Sequence, residues 1–472
     1  MWNAQDAWGR GIQKIRQSFP ETIKRPLRNL RSFLPPSLQR SAAFRQTRRF
    51  LEDSEYWSAD QFRSYQWAKL REILDHAARF VPAYREKFSA SNVKIQDLQS
   101  LDDLKRLPFL SKEELRANYE PFKAQNLRPD ELELFTSGGT TGIPTRFYHL
   151  REYNDDVAAA CKENMWKRAG YRWGRSRAID LTASFQEATR FEASQNIFYI
   201  SIAALESGKF AQYKKSLEDL RPEFIIGFPS TVASLARLMQ DAGAALPTVR
   251  GIIIASEVLY EDQRDLLKAM FGVPVLQWYG MGEYAGFASG CEHSEDYHFF
   301  PQLGILELID AQGQPLHEEG QEGEIVLTGF YNWATPFIRY RTGDRGRWGP
   351  ASCPQCRRPY PLLRQITGRL REFLVADDGR QIPNSALNFH NNLFEHILCY
   401  QFYQDVPGRV TLKLVKSASV GETQVEAIRA AVSSKLGEGV TLEVCFVEDI
   451  PRTPRGKHKF IEQKIKPQEA VT

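Results

Sequence analysis

No apolar run in the 472 residues approaches the roughly 20 needed to span a membrane. The opening "MWNAQDAWGR" lacks the charged-then-apolar layout of a secretory leader. Six cysteines are too few for a disulfide scaffold in a chain this long, so a reducing, cytoplasmic setting is expected. A net charge of +4 is small for this length and argues against a nucleic-acid binder. No internal repeat or low-complexity tract occurs. What remains is an ordinary globular composition, 42% hydrophobic and 25% charged, long enough for two or three domains.

The charge is unevenly placed. Residues 1–50 hold eleven Lys/Arg against two Asp/Glu, interrupted by Pro20, Pro26, Pro35 and Pro36. This reads as a basic helical arm over 1–55, either solvated or docking on an anionic membrane face or a partner. From Tyr56 to about Tyr119 the period is helical, with Trp67, Leu70, Ile73 and Leu74 on one face. After Asp130 short apolar runs alternate with helical ones. "FIIGFPSTVASLARLMQ" reads as a strand, a turn at Gly227–Pro229 and a helix capped by Ser230 or Thr231. "VRGIIIASEVLYEDQRDLLKAMFGVPVLQWYG" repeats the scheme. Such alternation predicts an α/β fold, with mixed or parallel sheets flanked by helices in a large domain over 56–370. "RVTLKLV" and "TLEVCFVE" around "ETQVEAIRAAVSSKL" predict a small α+β lid domain over 371–472.

"LFTSGGTTGIPTRF", Leu134 to Phe147, is too rich in Thr, Ser and Gly for a core element. Inward-turned amides and hydroxyls would make it an anion cradle. It is not a Walker loop, because no Gly-Lys-Ser/Thr closes it. Four stretches follow it in order: "WYGMGE" (278–283), "YRTGD" (340–344), "TGRLRE" (367–372) and "PRTPRGK" (451–457). Each sets a charge beside a glycine-bearing turn. A second group, "CEHSEDYH" (291–298) with "CPQC" (353–356), holds three of the six cysteines. Cys291, His298, Cys353 and Cys356 could close a Cys3His tetrahedron for a structural zinc, with His293 competing for the fourth place. Metal-free thiols beside a turn are the alternative. Cys161, Cys399 and Cys445 read as packing residues, and Phe224, Phe228 and Tyr260 as either acyl-pocket lining or core.

The five ordered stretches resemble the adenylate-forming superfamily that includes acyl-CoA synthetases. "SGGTTGIP" matches the phosphate loop, and "VPAYREKF…LDDLKRLPFLSKEEL" with Thr145 is similar to the phenylacetate–CoA ligase branch. Related members act in capsular-polysaccharide biosynthesis or adenylate a coenzyme. The resemblance implies an ATP-dependent, Mg2+-requiring enzyme that makes an acyl-AMP from a small carboxylic acid and passes the acyl group to CoA. Other acceptors it leaves open are an amine or hydroxyl in polysaccharide biosynthesis, or AMP transfer to a coenzyme.

By the same resemblance, Thr136, Ser137, Gly138, Gly139, Thr140, Thr141 and Gly142 would hold the β- and γ-phosphates. Glu283 would place Mg2+, and Tyr279 with Gly280 would lie against adenine. Asp344 would take both ribose hydroxyls, and Arg369 would sit near the ribose and α-phosphate. Lys457 would arrive from the lid to meet the α-phosphate and the substrate carboxylate. Glu257 would lie near adenine and the acyl group, with Ser256 beside it, and Arg371 at a hinge. Three departures stand out. Gly282 replaces the usual Thr or Ser, and the lysine after the loop proline is missing, with Arg146 nearby. The segment after Arg371 lacks the usual Gly-rich turn.

Overall fold

A computed structural model describes residues 41–137, 145–181, 189–193, 195–201, 205, 210–369, 373–383, 387, 389, 391–394, 396–416, 420–453 and 457–465; for Ser137 and Arg369 it describes the backbone alone. The phosphate-loop candidates Gly138, Gly139, Thr140, Thr141 and Gly142, the hinge Arg371 and residues 1–40 of the basic arm lie outside them.

The parallel run that the apolar alternation predicts is present. Ala178–Asp180 lies between Ile197–Ile200 and Phe224–Gly227; Gly251–Ala255 and Val275–Gly280 follow in parallel. All four residues of Phe224–Gly227 are buried, which is why such strands read as continuous apolar runs. Beyond Val275–Gly280 the same sheet turns antiparallel through Phe287–Ser289 and Tyr297–Phe299. It continues through Leu362–Arg369, Tyr340–Trp348 and Glu322–Gly329 to Gly304–Ile309, making thirteen strands in one sheet among the described residues. Tyr297–Phe299 is the seam between the two halves.

Helices cover the faces. Ala59–Phe80 begins with a capping box at Ser58 and buries Leu70, Ile73 and Leu74, three of the four residues of the predicted face. Tyr153–Lys167 packs Val157, Cys161 and Met165 against Ile226, Ile253 and Leu276. The first described helix, Ala42–Asp53, buries Leu51 in that same cluster. Residues 42–53 therefore pack as part of the large body, although they fall within the predicted 1–55 arm; their buried Phe44, Thr47 and Leu51 are the physical reason. The helix after Phe224–Gly227 also starts differently from the sequence expectation. It runs Pro229–Asp241 with Phe228 as its N-cap and Pro229 at the first helical position. Thr231 sits one turn in, where its Oγ1 accepts the Phe228 N–H at 3.0 Å. Proline's preset φ fixed the start one residue before the candidate cap.

The small C-terminal unit matches its predicted elements. Arg409–Lys416 and Thr441–Phe446 run parallel beside Ile397–Val406, and helix Glu422–Leu436 covers them through Ile428, Val432 and Leu436.

Candidate functional site

Leu132–Ser137 and Thr145–Leu150 pair antiparallel, from Leu132 opposite Leu150 to Ser137 opposite Thr145, so the Gly/Thr-rich loop joins the two arms of a hairpin. Arg116 Nε donates to Thr145 Oγ1 at 3.2 Å and anchors the exit of that loop.

The carboxylates predicted to hold nucleotide and Mg2+ are each fixed by a tyrosine. Tyr279 Oη donates to Asp344 Oδ2 at 2.8 Å, and Tyr340 Oη donates to Glu283 Oε1 at 2.7 Å. Burial and the adjacent carboxylates raise both phenols well above their ordinary range, so both stay protonated donors. Tyr340 opens the "YRTGD" stretch, and its place three residues before Gly343 is the one local signal for this role. Lys112 Nζ donates to the Thr342 carbonyl and braces the same turn. Glu283 Oε2 has no hydrogen-bond partner among the described residues, which leaves a hard oxygen donor of the kind Mg2+ takes.

Gly282, the departure from the family pattern, has a steric cause. A Cβ there would stand 2.6 Å from Phe135 Cε1, on the strand leading into the Gly/Thr-rich loop. Gly280 is similarly tight, with Phe287 Cδ1 at 2.8 Å from an added Cβ. Gly282→Thr, which restores the usual hydroxyl, is therefore expected to destabilise by about 1–3 kcal/mol, as overpacking does. Chemical denaturation of Gly282→Thr alone and with Phe135→Leu checks this, since the smaller partner should recover most of the loss.

Phe135 belongs to a stack that ties the hairpin to the Glu283 turn. His149 lies 4.8 Å from Phe135 on one side and 4.8 Å from Tyr284, nearly parallel, on the other. Its Nε2 is buried without a partner. Burial lowers its pKa to about 4, against smaller upward pulls from Asp155 and a hydrogen bond with the Gly282 backbone. A histidine held neutral in the folded chain binds fewer protons than the unfolded chain between pH 6.5 and 4. Its contribution is thus complete above pH 6.5 and lost as pH falls towards 4, by up to about 3 kcal/mol. Denaturation midpoints across that window should show the slope in the wild type and a flatter profile in His149→Phe.

The lid domain meets the crest of the parallel strands. Lys457 Nζ stands 6.0 Å from the centroid of the Phe228 ring, next to Gly227 at the strand end. Glu257 is drawn into the interface rather than left open. Its Oε1 accepts the His458 N–H at 2.7 Å and its Oε2 the Ser230 N–H at 3.1 Å. Arg452 Nη1 donates to Ser230 Oγ at 3.1 Å, and Tyr260 stacks on Phe460 with centroids 4.2 Å apart. Tyr260 is thus an interface residue and the fully buried Phe224 a core one, while Phe228 lies beneath Lys457. The pairing of Glu257 with His458 left no local sequence signal, because it joins residues 201 apart.

The cysteine prediction converges in space. The ligand atoms of Cys291, His298, Cys353 and Cys356, all four residues buried, lie within 4.8 Å of one another. Cys356 Sγ is 3.2 Å from His298 Nε2, and His298 Nδ1 meets the Asp296 carbonyl at 2.8 Å, which aims Nε2 at the thiols. His293 instead directs its backbone N–H to Cys291 Sγ at 3.4 Å. Three thiols and one imidazole around a common point are the donor set and spacing of a closed tetrahedral zinc site.

Residues 374–464 match the CapK C-terminal domain family model. The chain is 26% identical to a phenylacetate–coenzyme A ligase of Aromatoleum evansii, over 87% of this chain and 96% of that protein. It is 23% identical to the protein CapK of Staphylococcus aureus, over 84% of this chain and 88% of that one. A 2-hydroxyisobutyryl-CoA ligase in its postadenylation state, with bound 2-HIB-AMP, superposes with a TM-score of 0.70 at 21% identity, covering 88% of this chain and 92% of that one. In its thioesterification state with 2-HIB-AMP and CoA the score is 0.59. The chain is thus similar over most of its length to phenylacetate–coenzyme A ligases and to CapK, and it shares the fold of a 2-hydroxyisobutyryl-CoA ligase.

Proposed function

We propose that this protein activates a carboxylic acid with ATP, forming an acyl-AMP, and transfers the acyl group to the thiol of CoA. The observation that carries the reading is the pair of tyrosine-held carboxylates, with a lysine of the small domain standing over Phe228, just past strand Phe224–Gly227. Asp344 and Glu283 are each held by a tyrosine on the large domain, and Lys457 is delivered from the small one.

In the first step a carboxylate oxygen attacks the α-phosphorus and pyrophosphate leaves. Negative charge grows on the leaving group, and fixed donors that need no reorganisation lower the barrier. Lys457 would meet the α-phosphate and the acid. Asp344, oriented by Tyr279, would accept from the ribose hydroxyls, with Arg369 close by. Glu283 would hold Mg2+, which when bound supplies charge neutralisation between phosphates. The loop 136–142 would wrap the β- and γ-phosphates. In the second step the CoA sulfur attacks the acyl carbonyl carbon and AMP leaves.

We further propose that Cys291, His298, Cys353 and Cys356 hold a structural zinc, and that the enzyme is cytoplasmic, with basic residues 1–40 docking on an anionic surface. Among the described residues no helix is long and apolar enough to cross a membrane. ATP–pyrophosphate exchange dependent on an added acid is the decisive assay; purified protein that exchanges with no acid would remove the reading.

A second reading keeps the first step and gives the acyl group to an amine or hydroxyl. It is prompted by the match of residues 374–464 to the CapK C-terminal domain family model and by the likeness to the protein CapK. Product analysis with and without CoA separates the two.

A further inference from the structure

Helix Tyr153–Lys167 presents Lys162 towards the sheet, with its ammonium 5.7 Å from the centroid of the Trp278 ring. Trp278 lies beside Ala255 in register, and Ile254 beside Gly227, so these four residues lie towards the carboxyl ends of three adjacent parallel strands. Asp180, whose carboxylate contributes to the field at Lys162, ends the strand next to Phe224–Gly227. Lys457 reaches this crest from the lid, at Phe228. Two ammonium groups thus approach one crest from different elements, in the place where open parallel sheets hold ligands.

Among the described residues, no carboxylate forms an ion pair or hydrogen bond with Lys162. Asp155, one neighbour in its field, already accepts the Tyr284 hydroxyl at 3.0 Å, and Asp180, the other, is itself engaged. Burial lowers the lysine pKa, with smaller upward pulls from Asp155 and Asp180. A cation taken from water without an ion-pair partner is costly, and such groups cluster where a ligand completes them. The surrounding wall, Trp278, Tyr199 and Tyr284 in one apolar cluster, suits a flat or extended carbon skeleton.

We propose that Lys162 is a specificity-determining residue of the acid site, receiving a second anionic group of the substrate, so that the acid activated is a dianion rather than a simple aryl or fatty acid. This rests on the adenylation reading above. Lys457 takes the carboxylate that reacts; Lys162 takes the one that does not. The second contact is equal in ground and transition states, so it acts on the KM for the acid and leaves kcat nearly unchanged.

The test is ATP–pyrophosphate exchange with matched pairs, phenylacetate against 4-carboxyphenylacetate and hexanoate against adipate, in wild type, Lys162→Met and Lys162→Arg. The wild type is expected to favour the diacid of at least one pair by about tenfold or more in KM, the range of a charge-assisted hydrogen bond. Lys162→Met should lose that preference at unchanged melting temperature, and Lys162→Arg should keep it. Equal or better use of the monoacids by the wild type, unaltered in Lys162→Met, overturns the inference and leaves the adenylation reading standing. Exchange with none of the four acids, nor with any other acid, overturns both.

Discussion

Lys457→Ala is expected to lower acid-dependent ATP–pyrophosphate exchange by about a hundredfold to a thousandfold while the protein stays folded. The magnitude is that of deleting one preorganised donor from a site where charge develops. The folding expectation rests on its surroundings. Lys457 is half-buried, and the lid is secured by other contacts: Tyr260 on Phe460, the His458 N–H to Glu257, and buried Arg237 Nη1 donating to the Leu398 carbonyl at 2.9 Å. Removing the ammonium should therefore subtract chemistry and little stability. The measurement is isotope exchange beside a thermal melt. Exchange within threefold of the wild type would take Lys457 out of the reaction and with it the proposed closing of the lid on the nucleotide. Transfer from preformed acyl-AMP to CoA should fall far less than exchange, because charge no longer builds on a departing pyrophosphate in that step.

Loss of the proposed zinc is expected to have the largest effect on stability. The four ligands bracket the seam of the sheet. Cys291 follows strand Phe287–Ser289, and His298 sits on Tyr297–Phe299 opposite both Ser289 and Leu362. Cys353 and Cys356 lie between the strand carrying Asp344 and the strand ending at Arg369. One ion would thus lock the parallel half, with Glu283, to the antiparallel half, with Asp344. Cys353→Ser or Cys356→Ser should lower the melting temperature by on the order of ten degrees, as removal of a structural metal does. Elemental analysis should find about one zinc per wild-type chain and little in the variants. A metal-free wild type that melts with the variants would leave a cluster of reduced thiols. The KM for ATP should rise alongside, because the two carboxylates proposed to serve the nucleotide stand on opposite sides of the seam.

Much of this was legible in the residues alone. Strand Phe224–Gly227 and the C-terminal elements were visible because burial on both faces, or on one, leaves a periodic trace. The Cys-x2-Cys pair announced itself by spacing. Motif order gave Asp344, Glu283 and Lys457, since each charge sits beside a turn whose geometry constrains its neighbours. The helix beginning at Pro229 shows the limit of such local signals, because two competing start signals stood within three residues.

The residues alone gave the element types, the α/β fold class with its small C-terminal unit, and the cysteine set. Only the tertiary structure decided that Tyr279 and Tyr340 orient the two carboxylates, that Phe135 forbids a side chain at position 282, and that Glu257 bridges to the lid. It alone brought Lys162 to Trp278. These pairings join residues between roughly 60 and 200 positions apart. Local propensity fixes what a segment becomes, whereas chain crossing and close packing fix which distant side chain occupies the space beside it.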